Sequence, residues 1–182
     1  SRAGDSGDVP VDVPGIDAIS AALPEGYGFL AYHLGEDFSL ALAVTSGGVL
    51  WRPLEADLRP RLEELVRRLD FQWSAAAMMA ARPMSGRGGS HHRLLRSATD
   101  AILGEMHALL WRPLEEAGLP EGSWIVSPHG GVHRVPLAAL RGAEGYLVQR
   151  RLYLAFDAVL RWIILSAWSW ISRFACSGLP PP

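Results

Sequence analysis

Residues Trp124, Ile125 and Val126 form an apolar run that enters the turn S-P-H-G-G at 127–131. No polar residue alternates through this run. A strand built from it has to be covered on both faces, as a central strand of an α/β sheet is. The turn then passes through His133 to Pro136, whose fixed φ suits the start of a short apolar helical turn, L-A-A-L. Buried strand, glycine turn and short helix together set the fold class as α/β.

The preceding residues supply the rest of such a sheet. Tyr27–Tyr32, Ser39–Thr45 and Val49–Trp51 read as strands separated by Gly35-Glu36-Asp37 and Ser46-Gly47-Gly48, both good turn signals. Leu40, Leu42 and Val44 share one side of the second strand, so the expectation is an antiparallel meander with one face buried. From Leu58 onward, Leu62, Leu65, Val66 and Leu69 recur at helical spacing, and Pro60 fits a first helical turn. Arg67 and Arg68 complement the dipole near the end of that helix. Gln72 to Arg93 loses periodicity and reads as a flexible connection. A second helix carries Leu95, Ala98, Ile102, Met106, Leu109 and Leu110 as its apolar stripe, and Pro113 stops it at Trp111-Arg112. Gly118 to Gly122 turns the chain into Ser123–Ser127.

Composition narrows the function classes. Of 182 residues, 49% are apolar and 20% charged, a globular balance with enough chain for one domain. The net charge of −2 offers no basic field for nucleic acid. All 17 basic residues are Arg, and Lys and Asn do not occur, which points to GC-rich coding DNA and a high-GC bacterium. Cys176 is the only cysteine, so a disulfide framework and a Cys-rich zinc site are both excluded, and a lone thiol suits the cytoplasm. The apolar run Trp162 to Ile171 is shorter than the roughly 20 residues that span a bilayer.

The segment Ser127 to Leu140, followed by G-Y-L-V-Q-R-R-L-Y-L-A, resembles the CHAT domain, a caspase-like cysteine peptidase domain often attached to TPR-type helical repeats. The family pattern there is roughly P-D-G-x-L-H-x-L-P-F-x-A-L and then a Y-L-I-E-R-Y-like strand. Glu25 to Tyr32, Ala43 to Val49 and Leu109 to Leu114 resemble, in order, its opening strand, its second hairpin and the end of its long helix. The likeness runs from about Leu23 to about Phe156. His129 stands where the family has Asp, and Leu137 where it has Phe. After Ala155 the family's His-Gly strand and S-A-C strand are not recognisable; Leu165-Ser166-Ala167 is followed by Trp168, not by cysteine.

The resemblance implies the N-terminal part of a caspase-like fold: antiparallel meander, two helices and the start of a central sheet, incomplete as it stands. It divides the chain into a flexible linker at 1–22, the CHAT-like portion at 23–156 and a Trp- and Pro-containing tail at 157–182. It implies a cysteine-endopeptidase relative that is inactive alone, with no cofactor, and with a protein or peptide as substrate or partner. The alternative is a non-enzymatic interaction module derived from such a domain. His129, Gly130, His133 and Pro136 are the motif positions, with structural or cleft-lining roles and none in catalysis. Cys176, beside the terminal prolines, reads as an incidental thiol, and His91-His92 as part of a solvated loop. These histidines nominate no third and fourth ligand for zinc. The tail has three readings: a buried helix, an interfacial amphipathic helix, or out-of-frame sequence.

Overall fold

The computed structural model describes residues 15–80 and 88–150. The chain opens with α1 (Ile16–Ala22), then a meander of β1 (Tyr27–Leu34), β2 (Ser39–Thr45) and β3 (Gly48–Pro53). Two long helices, α2 (Leu58–Ala80) and α3 (Gly88–Leu110), and the short α4 (Arg112–Glu116) lead into β4 (Ser123–Ser127). A first 3-10 turn (Gly130–Arg134), a second (Leu137–Ala139), the two-residue strands β5 (Arg141–Gly142) and β6 (Gly145–Tyr146), and a third 3-10 turn (Leu147–Arg150) follow. The main sheet runs β3-β2-β1-β4, antiparallel through the meander and parallel between β1 and β4. The fold is therefore mixed α/β.

The alternation of β1 sends side chains to two different cores. Leu30, Tyr32 and Leu34 face a large core with Leu58, Leu62, Val66, Leu69, Met106 and Leu110 of the long helices, joined by Trp124 and Val126 of β4. Phe29 and Ala31 face the other way, packing with Leu42 and Val44 under Ile19 of α1. The expected single buried face is thus corrected: β1 and β2 are covered on both sides, because α1 caps the second one. The segment at 16–22, expected as linker, is helical because Ile16 and Ile19 lie one turn apart and both have that sheet face to rest on. Ser20 Oγ fixes it by donating to the Thr45 carbonyl at 2.9 Å.

The α2 stripe reads as expected, with Leu62, Leu65, Val66 and Leu69 all buried. The connection expected from Gln72 to Arg93 is corrected. Helix α2 runs on to Ala80 and α3 begins at Gly88, so His91 and His92 are exposed residues of α3 rather than loop. Residues 71–79 include no buried side chain, and Phe71 is 70% exposed. Ala and Met favour helix without a core, and the absence of a core is why no stripe marks this stretch. Pro113 sits in the first turn of α4, so it starts one helix where α3 stops.

Two contacts join the sheet to the helices and set the position of β4. Tyr32 is fully buried and its hydroxyl donates to the Leu110 carbonyl at 3.2 Å, tying β1 to the end of α3. Burial pushes the Tyr32 hydroxyl pKa far above its ordinary value, so the phenol stays neutral. Gly28 lies opposite Trp124 in the parallel register. A Cβ at Gly28 would lie 2.6 and 2.7 Å from ring carbons Cε3 and Cη2 of Trp124, so the ring occupies the space that a side chain would need.

Around the β4 strand, expected to be covered on both faces, Trp124, Val126, Val135, Leu137 and Leu140 are buried. Ile125 is only partly so, because it points to the thinner α1 side. The sheet edges differ. On β3, Pro53 has no N–H to offer and the Arg52 guanidinium donates to the Trp51 carbonyl at 3.3 Å, both of which blunt an edge. Among the described residues β4 is the opposite end strand. Among the described residues, no helix is long and apolar enough to cross a membrane.

Candidate functional site

Open α/β sheets bind ligands beyond the carboxyl ends of parallel strands. Here the parallel strands are β1 and β4, and their ladder ends at Ala31 opposite Ser127. Pro128 and His129 follow β4 directly, while β1 runs on through His33 to Leu34. The sequence thus places one histidine at the end of each strand. His129 Nδ1 accepts the Leu34 backbone N–H at 3.1 Å, in effect adding one rung where the β4 backbone has already turned away. The two imidazoles stack, with centroids 5.3 Å apart and planes 1° from parallel. Phe38 stacks on His33 as well, at 4.9 Å and 30°.

Burial disfavours the charged form of both rings. Burial holds the His129 pKa below its usual value, and the neighbouring His33, His133 and Arg59 add to that depression. Burial likewise lowers His33. Arg59, in the first turn of α2, lies 3.9 Å from Glu36 of the β1–β2 turn and 3.4 Å from Glu63. The first 3-10 turn is held by buried Val132 and by Arg134, which pairs with Asp70 of α2.

The structure separates the motif positions. His129 lies in the strand-end cluster. Gly130 takes φ +56, a left-handed conformation that glycine adopts without strain, and it lies against Leu34. His133 is exposed on the 3-10 turn, and Pro136 precedes the second turn, where Leu137 enters the core. Residues 151–182, including Cys176 and the Trp-rich tail, lie outside the described residues, as do 1–14. Among the described residues there is no cysteine and no group of three His, Cys, Asp or Glu placed to hold a metal ion.

His33, Phe38 and Arg59 were not legible as site residues. His33 follows the aromatic Tyr32 that closed the expected strand, and only the parallel pairing of β1 with β4 brings it to His129. A strand two residues longer, with His33 beside the glycine turn, was the available signal.

A second polar cluster holds the motif's hairpin to α3. Asp100 accepts from the Tyr146 hydroxyl and from Arg141, each at 2.6 Å, and the Arg141 guanidinium lies 6.0 Å from the Tyr146 ring centre. Buried His107 lies 3.5 Å from Glu115 and against Gly142, where a Cβ would fall 2.9 Å from the ring. This arrangement clamps β5 and β6. Compared with known proteins, the chain matches no family model and no curated protein sequence.

Proposed function

We propose that the chain is the N-terminal portion of a bacterial, cytoplasmic CHAT-domain protein of the caspase-like cysteine endopeptidase class, and that it is inactive alone. The observation that supports this reading is the parallel β1–β4 pair, with the motif turn at its carboxyl end, reached through meander, helix and helix. Such chemistry needs a cysteine thiolate to attack the peptide carbonyl, an imidazole to move the proton, and backbone N–H groups for the oxyanion. His129 is spent elsewhere, since its Nδ1 already holds the Leu34 amide. The family's Asp at this position fits the same place, because a carboxylate oxygen can accept that N–H as Nδ1 does. The nucleophile and base would come from strands beyond β4.

The alternative is a non-enzymatic interaction module, derived from such a domain, that takes a protein strand on β4, favoured by its place as an end strand among the described residues. A broad peptide-substrate screen on the purified chain should show no turnover. Turnover that disappears in Cys176→Ala would overturn the inactive reading. Flanking DNA that encodes a downstream H-G and S-A-C segment in some frame favours the peptidase portion over the module.

A further inference from the structure

Strand β4 stops at Ser127, three residues short of the end of β1, so the Leu34 N–H on that side has no strand carbonyl to meet. The His129 ring fills the position at 3.1 Å. To accept there, Nδ1 has to be bare, so the neutral ring carries its proton on Nε2. The ring also lies flat against a second imidazole that can itself become charged. A proton arriving at Nδ1 would point N–H at N–H and set a cation against His33.

We propose that the His33–His129 pair is a pH-operated latch: proton uptake at His129 Nδ1 releases the turn at 128–134 from the end of β1. The charged and titratable groups around the ring come from each neighbouring element. They are His33 on β1, Arg59 on α2 and His133 on the turn itself, with Glu36 of the β1–β2 turn and Glu63 of α2 lying against Arg59. Glu36 and Glu63 are engaged by Arg59, and Arg134 by Asp70. The balance around His129 therefore disfavours its cation.

The sign follows from linkage. In the closed turn the His129 pKa lies below its ordinary value of 6.5, and in an opened, solvated turn it returns there. Between those two values the open form binds more protons, so opening grows as pH falls, by up to about tenfold per pH unit. Above the ordinary value the latch is closed, and below the folded one the effect levels off.

Amide exchange read by NMR on the full chain tests this. Each rate is divided by its intrinsic value, with Ala31 as an internal reference. Leu34 protection should fall several-fold more than that of Ala31 between pH 7.5 and pH 5. His129→Asn keeps an acceptor close to the Nδ1 position without titrating there, and should make Leu34 protection flat across the same range. Imidazole nitrogen shifts of the unsubstituted chain at pH 7.5 should show a bare Nδ1 and a protonated Nε2 on His129, a measurement that needs no variant. Leu34 protection independent of pH would overturn the latch. So would an equal loss in His129→Asn, or an Nδ1-protonated ring at pH 7.5.

Discussion

Gly28→Ala isolates the contact that seats β4 on the sheet. Elsewhere in a strand this change stabilises by about 0.5–1 kcal/mol, because glycine loses more backbone freedom on folding. Here the new methyl would lie 2.6 and 2.7 Å from two carbons of the Trp124 ring, and closer still to Cζ3. Ordinary carbon contacts are about 3.5–4.0 Å, so ring or strand has to move by about 1 Å. Neither moves easily: Trp124 is 3% exposed, and Gly28 is paired with Trp124 in the parallel ladder, one residue before β1 begins to pair with β2. Overpacking typically costs about 1–3 kcal/mol, and a rigid ring between two fixed backbones belongs at the upper end. Set against the backbone gain, the net loss is about 2 kcal/mol. With a urea slope of about 1–3 kcal/mol/M, the unfolding midpoint should fall by about 1 M. Trp124→Leu removes the obstacle, so adding Gly28→Ala to that background should be neutral or stabilising, a coupling of about 2 kcal/mol. A Gly28→Ala single variant as stable as the parent would refute the reasoning.

Two further outcomes follow from the core. Tyr32→Phe removes the bond to the Leu110 carbonyl and leaves that carbonyl unmet, so denaturant melts should show a loss of about 0.5–1.5 kcal/mol or somewhat more. Ile125→Ala should cost less than the roughly 2–5 kcal/mol of a fully buried site, because Ile125 is half-buried on the α1 side; a loss within that range would mean that this side is more closely covered.

Much of the sheet was legible because its strands are short apolar runs between strong turns. β2 and β4 have the bounds that their side-chain pattern implies. β1 runs two residues past Tyr32 because His33 and Leu34 still pair with Leu40 and Ser39. The end of α2 after Phe71 and the first turns of α3 were not legible, since helical turns without buried side chains have no inner face to impose a period. Helix α1 was missed for a different reason: two isoleucines one turn apart become a stripe only once Phe29 and Val44 are known to need covering. Of the site, the sequence names His129 and says nothing of its partner. Leu34 and His129 lie 95 residues apart, and nothing local records a parallel pairing.

That separation has a consequence in time. The meander closes through local turns, and an isolated hairpin forms in roughly 1–10 microseconds. The β1–β4 pair waits for its second strand to be made. At about 5–20 residues per second, 95 residues take roughly 5–20 seconds to emerge from a ribosome. Throughout that interval β1 already has β2 on one side, while its other edge and the apolar side chains Leu30 and Tyr32 await α2, α3 and β4. The guarded β3 edge, with Arg52 and Pro53, is finished early; the β1 edge is the one left open during synthesis. Nascent chains of this protein should therefore be most prone to misassociation between the completion of β3 and the arrival of Trp124.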